Sequence, residues 1–212
     1  METKPLPFDA KKLKGISEKT IMIHHDKLYA GGYVAKSNEI SEKLKALREK
    51  IISGEESGNQ IYSLLRGLKQ GETFAVNGSY LHEWYFAVLG GPSTDSGQAT
   101  KDAPELSRAI SEKWGSVENF IKYFTECGLA ARGWAILVWD PKQGNLMQYN
   151  ADAQNQGGIW GAIPIIALDV YEHSYFIDFG ADRKAYIKAF FENLNWAAAE
   201  EFYLKARKIT LN

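Results

Sequence analysis

The chain is short of sulfur and of imidazole: its 212 residues hold one cysteine, three methionines and four histidines. A single cysteine, Cys127, closes no intrachain disulfide and offers no thiolate cluster for structural zinc. A reducing compartment is therefore expected, with Cys127 a small apolar core residue. Charge of one sign is also lacking. With 25 Lys and Arg against 26 Asp and Glu, the formal net charge is -1, which points away from nucleic acid as a partner. No uncharged run of about 18 residues occurs to span a membrane. The opening METKPLPFDAKKLKGIS lacks the apolar centre of a signal peptide, so the expected location is cytoplasmic. What the chain does have is ordinary globular content, 45% hydrophobic and 13% aromatic, enough for one large domain or two small ones.

Ser17 precedes EKTIMIHHDKLYAGGYVAKSNEISEKLKALREKII, whose periodicity and cap-like start predict one long helix, or two broken near Gly31-Gly32 or around Ser37. Residues 54–58 read as a turn, and further helices are expected over 61–69 and 78–89. GGPSTDSGQATKDAPE, residues 90–105, is rich in loop-forming residues and marks the expected boundary. Beyond it, helices are predicted over 105–114 and 116–131, strands over 134–139, 146–149 and 163–168, and closing helices over 184–193 and 196–208. Pro164 suits a strand only at its start or on a sheet edge. The predicted class is α+β. An all-helical N-terminal domain, a helical hairpin of residues 1–92, precedes a C-terminal α/β domain, residues 93–212, with a small three-stranded antiparallel sheet. The seam between two such halves is a natural place for a buried site.

All four histidines lie among apolar or aromatic neighbours: His24 and His25 in IMIHHDKLY, His82 in GSYLHEWYF, His173 in DVYEHSYF. An isolated histidine on an apolar face is most often a hydrogen-bonded core residue. Three such placements, with Asp169 ending the apolar run IPIIALD, change that reading. A buried carboxylate or imidazole needs a partner, and neutral imidazole is the commonest metal ligand. Asp169 and His173 are four apart and can converge from a strand tip or a helix start. His82 and one of His24/His25 would complete the set, since neighbours on a helix point about 100° apart and only one of that pair can join. Three imidazoles and one carboxylate suit manganese, iron or zinc.

Taken in order along the chain, these segments resemble the iron/manganese superoxide dismutase family. DVYEHSYF is similar to that family's D-V-W-E-H-A-Y-Y signature. Leu6-Pro7-Phe8 resembles its opening L-P-Y, His24-His25 its first-helix pair, and His82-Glu83-Trp84-Tyr85-Phe86 its second histidine with following aromatics. Gly133-Trp134, Arg183, Tyr186 and Asn195-Trp196 are similar to its later G-W, R-x-x-Y and N-W. The resemblance implies disproportionation of superoxide to dioxygen and hydrogen peroxide at one manganese or iron ion per chain. Its ligands would be His24, His82, Asp169 and His173, with a solvent molecule as the fifth. It also implies Tyr33 as gateway and proton relay, and an apolar wall from Trp134 and Trp84. A homodimer or dimer of dimers would follow, with Glu172 reaching a metal-binding histidine of the partner subunit.

The chain departs from the pattern in places. Tyr33 is nine residues after His24 and eight after His25, as if one residue were inserted at Gly31-Gly32, and a π-bulge there would keep His24 as the ligand. Leu28 and Phe176 stand where the family often has a histidine and a tyrosine that hydrogen-bond across the dimer, and Tyr171 replaces the signature tryptophan. Iron-preferring members carry a glutamine four before the second histidine, where this chain has Gly78. Manganese-preferring members supply it from the C-terminal half, as Gln154 or Gln156 would here, with Gln154 better spaced. Manganese is thus favoured, with iron the other choice. Lys27 and Arg183 are candidates for positive charge that attracts superoxide. Two rival readings keep the same ligands: a zinc hydrolase, which would need a base beside the metal and a substrate cleft, and a metal-binding homologue with weakened catalysis.

Overall fold

A computed structural model describes residues 1–92 and 96–211 of the chain. Ser17 caps the first helix by accepting from the Thr20 N–H. The chain then winds without a break through α1 (Glu18–Met22), a π-helix (Ile23–Val34) and α2 (Ala35–Ile52). The return arm is a single helix, α3 (Leu64–Ala87), capped by Ser63. The residue pattern suggested two helices here, over 61–69 and 78–89, because Gly67, Gly71 and Gly78 depress helix propensity. Packing overrides that preference. A Cβ at Gly71 would come within 3.1 Å of Ile40, and one at Gly78 within 2.3 Å of the Tyr33 ring, so these glycines let the two arms approach rather than break the helix.

The stretch expected to be loop between the halves contains α4 (Ser96–Asp102), while residues 93–95 of it lie outside the described residues. Then come α5 (Pro104–Trp114), with proline where its missing N–H is harmless, and α6 (Val117–Ala130). The sheet follows: β1 (Trp134–Asp140), β2 (Asn145–Ala151) and β3 (Ile163–Asp169), in the order β2-β1-β3 with both pairs antiparallel. The central strand β1 is buried almost throughout, as its run WAILVWD requires. Pro164 sits near the start of the edge strand β3, beside a register shift opposite Leu137 and Val138, where its missing donor costs least. A 3₁₀ turn (Glu172–Ser174), α7 (Phe176–Phe179), α8 (Arg183–Glu192) and α9 (Trp196–Ala206) complete the chain.

Phe120, Phe124, Trp134, Tyr186, Phe190 and Trp196 fill the core of this half. The halves meet where α3 packs on β3 and where Leu89 pairs with Leu194. That contact brings the helix carrying His82 to the strand that ends in Asp169. Among the described residues no helix is long and apolar enough to cross a membrane.

Candidate metal centre

His24 comes from the π-helix, His82 from α3, Asp169 from the last position of β3, and His173 from the 3₁₀ turn just beyond it. One ligand atom from each lies within 4.8 Å of all the others. Asp169 Oδ2 faces three Nε2 atoms, at 3.2 Å from His24, 3.5 Å from His82 and 3.2 Å from His173. Two ligands about 2.1 Å from a shared ion, at angles of about 90° to 120°, stand roughly 3.0 to 3.6 Å apart. Asp169, His24 and His82 are wholly buried, and His173 keeps 26% of its side chain exposed.

The hydrogen bonds around these groups turn their ligating atoms inward. His82 Nδ1 lies 2.6 Å from the Gly78 carbonyl, one helical turn back, so a neutral ring donates there and presents a bare Nε2. That Nε2 is buried with no hydrogen-bond partner among the described residues. A lone pair facing a carboxylate oxygen across 3.5 Å is unfavourable unless a cation lies between them. The donor set therefore fits manganese or iron. Asp169 Oδ1 accepts from the Tyr171 N–H at 2.8 Å, which aims Oδ2 at the histidines, and the Asp169 carbonyl accepts from the Tyr186 hydroxyl at 2.8 Å. Burial alone would raise the Asp169 carboxyl, but His173 and His24 hold it well below the usual carboxylate range. Burial holds His82 down to about 3 and lowers His24 against the pull of Asp169, which keeps both rings in the neutral, ligating form. At His173 burial also works downward, but Asp169 outweighs it and raises the imidazole.

Tyr33 and Gln154 meet beside this cluster. The Tyr33 ring packs 4.7 Å from the His82 ring, and Gln154 Nε2 donates to the Tyr33 hydroxyl at 2.8 Å. Gln154 Oε1 in turn accepts from Trp134 Nε1 at 2.7 Å, so the indole fixes which way the amide points. From its sequence context Trp134 reads only as part of an apolar wall. Its hydrogen-bonding part comes from strand register: Trp134 pairs with both Ala151 and Asp169, between the Gln154 loop and the ligand strand. Its ring also stands edge-on to His82 at 5.2 Å, whereas Trp84 packs half-buried against the core. Gln156 is exposed and uses its backbone to close the loop. Burial and the Asp169 charge push the Tyr33 phenol up to about 12, with the Gln154 hydrogen bond working the other way. Since Tyr33 occupies the space a Cβ on Gly78 would need, no side chain can reach the cluster from that position.

His25 points away. Its Nε2 lies 2.8 Å from the Lys4 carbonyl and its Nδ1 2.8 Å from Asp26 Oδ1, so it fastens the N-terminal segment. Tyr29 shares that task, accepting from the Lys4 N–H at 2.9 Å and donating to Glu83 Oε1 at 3.1 Å, a link the residue pattern did not reveal. Tyr171 stacks on His173 at 5.3 Å. Lys27 is exposed, but Arg183 donates to the Ala131 carbonyl at 2.7 Å and lies over Tyr175, which makes it a packing group. Cys127 is half-buried and burial raises its thiol, which agrees with a structural part.

Three imidazoles and a carboxylate converge between a helical hairpin and an α+β half, a sulfur-free donor set of the kind that holds one metal ion. The family model described as iron/manganese superoxide dismutases, C-terminal domain, matches residues 102–202. Over 196 residues the chain is 39% identical to superoxide dismutase [Fe] of Aquifex aeolicus, covering 92% of this chain and 88% of that one. It is 37% identical over 203 residues to superoxide dismutase [Fe] of Cupriavidus metallidurans, covering 93% of each. Superoxide dismutase [Mn] of Haloarcula marismortui is 34% identical over 206 residues, 97% of this chain and 94% of that one. The chain belongs to the iron/manganese superoxide dismutase family.

Proposed function

We propose that this chain converts superoxide to dioxygen and hydrogen peroxide at one manganese or iron ion, held by Asp169 Oδ2 and the Nε2 atoms of His24, His82 and His173. In a chain of this family, the observation that carries the reading is the bare, buried His82 Nε2 facing Asp169 Oδ2. A manganese or iron ion held by these four residues would supply one-electron redox chemistry for two superoxide molecules. The chain's own groups hold and deliver the protons that peroxide requires. The Tyr33 hydroxyl and Gln154 Nε2, 2.8 Å apart, form a hydrogen-bonded pair beside the ligands. With its phenol pushed up to about 12, Tyr33 stays protonated at neutral pH, gives its proton to peroxide and takes another from solvent at its half-exposed edge. Trp134 and Tyr171 exclude bulk water from the remaining sides.

Gln154 reaches the cluster from the C-terminal half while Gly78 leaves no room for a side chain from α3, an arrangement that favours manganese over iron. Glu172 is exposed on the turn that carries His173, beside Phe176 at 58% and Ile177 at 46% exposure. This apolar, acid-bearing corner supports a homodimer, or a dimer of dimers, with Glu172 reaching a metal-binding histidine of the partner subunit. We take residues 1–92 and 93–212 as the two domains that clasp the ion, and the cytoplasm as its location. The test is elemental analysis after growth with manganese and iron both supplied, followed by superoxide decay for each loaded form. About one ion per chain with turnover supports the proposal. Zinc alone, or no turnover by either form, overturns it in favour of a hydrolase or an inactive metal-binding scaffold.

A further inference from the structure

Asn155, next to Gln154, is exposed, yet its Nδ2 donates to Thr73 Oγ1 at 2.9 Å and to the Gln70 carbonyl at 3.3 Å, both on α3. The loop it belongs to is otherwise lightly held. Residues 155–161 are exposed, and the loop's own backbone closes a small bridge between Ala153 and Gln156 and a turn from Ile159 to Ala162. Gln154 is the single buried residue in this stretch, gripped by Trp134 and Tyr33 through its side chain.

We propose that Asn155 is a positioning residue that pins the Gln154 loop to α3 and so sets where the Gln154 amide stands relative to Tyr33 and the metal. The segment it grips is the one that backs Tyr33. Phe74, next to Thr73, packs its ring 5.9 Å from Tyr33, and Gly78, against which Tyr33 lies, is one turn further along. The Thr73 hydroxyl donates its own hydrogen to the Gln70 carbonyl at 3.1 Å, which leaves a lone pair free to accept from Asn155. Amide and phenol are thus referenced to the same stretch of helix, although they arrive from opposite halves of the chain. Hydrogen bonds at so exposed a position add little to stability, but a displaced amide supports the proton on its neighbour less well. The expected mark of Asn155 is therefore altered chemistry in an intact fold.

The effect on turnover rests on the dismutase reading above; the tether itself does not. Asn155→Ala, Thr73→Val and the double variant are compared with the parent chain in two ways. In the metal-free protein, the side-chain amide resonances of Gln154 are followed by NMR. In manganese- and iron-loaded protein, the reduction midpoint, the metal ratio after mixed loading and the turnover are measured. Each single variant should move or broaden the Gln154 amide signals, shift the midpoint and lower turnover roughly threefold to tenfold, with melting within a few degrees of the parent. The double variant should be no worse than Asn155→Ala, which already removes both bonds of the link, whereas Thr73→Val leaves the one to the Gln70 carbonyl. Gln154 signals that coincide with the parent in both single variants overturn the tether, whatever the turnover. Displaced signals in a protein whose parent form dismutes no superoxide uphold the tether and overturn the dismutase reading instead.

Discussion

The two arms of the helical hairpin each deliver one histidine to the same oxygen of Asp169, and they are wound differently. α3 is regular. His82 lies four residues after Gly78, so its Nδ1 falls on the Gly78 carbonyl and its Nε2 is aimed at Asp169. The other arm must bring both His24 and Tyr33 to the cluster, although nine residues separate them. Over nine residues an α-helix turns through about 900°, which would leave the two side chains on opposite faces. With i→i+5 bonds and about 4.4 residues a turn, the same span makes roughly two whole turns and returns both to one face. The Ala35 N–H bonding back to the Ala30 carbonyl is such a link. The extra residue is thus absorbed by changing the winding over residues 23–34 rather than by a kink at one point. Spacing along a helix locates a side chain only once the winding is known.

If the two arms are equivalent at the metal, His24→Ala and His82→Ala should do equal damage. Each should weaken metal binding by about a hundredfold or more, since only Asp169 and two histidines would remain to hold the ion. Metal content after dialysis is the measurement. Retention by one variant and loss by the other would mean that the arms do not share one ion.

Acid should act on both arms in the metal-free protein. Burial lowers His24 and holds His82 at about 3, so between pH 6.5 and about 3 the unfolded chain binds protons that the folded one refuses. Their contribution is full above pH 6.5 and is lost as pH falls, at about 1.4 kcal/mol per pH unit for each group that titrates only when unfolded. Asp169 acts in the same direction below the ordinary carboxylate range. His173, raised by Asp169, works oppositely, stabilising below pH 6.5 and losing that contribution as pH rises through its raised value. The net expectation is a fold that weakens on acidification below pH 6.5, with a shallower decline in His82→Gln. Denaturation midpoints across that range would show it, and identical slopes for the two proteins would remove His82 from the account.

The arms touch where Tyr33 lies on Gly78, so Gly78→Ala should push them apart. Its Cβ would stand 2.3 Å from Tyr33 Cδ1, and overpacking of this kind costs about 1–3 kcal/mol. Thermal melting should fall and turnover should drop while metal stays bound, because Tyr33 moves and the ligands do not. An unchanged melting point would show that the regular arm can slide to make room.

The meeting of His24, His82, Asp169 and His173 and the three strands were legible because chemistry and apolar runs restrict which residues can stand there. Asp169 ending a buried strand had to have partners, and only four histidines were available to supply them. The winding of residues 23–34 was not legible beyond a bulge expected at Gly31-Gly32, because it is set by where His24 and Tyr33 must land. The continuity of α3 was hidden for a related reason. Gly71 and Gly78 read as breaks until Ile40 and Tyr33 are seen against them. The indole clamp on Gln154 depends on β1 register, and the helix within residues 96–102 lies in a stretch whose composition spells loop.

The smallest expected effect falls on the neighbour of a ligand. His25 is also buried, but its two nitrogens serve the Lys4 carbonyl and Asp26 rather than Asp169. His25→Ala should release the N-terminal segment at that point and cost about 1 kcal/mol, the net worth of an ordinary hydrogen bond whose acceptor can turn to water. Bound metal and the ratio of manganese to iron should be those of the parent, since His25 gives nothing to the cluster. This comparison between adjacent histidines is the most direct check on the winding. If metal vanished from His25→Ala while His24→Ala kept it, the register would be wrong by one residue. Tyr33 would then stand eight residues from its ligand, and the first arm would have no need of a π-helix.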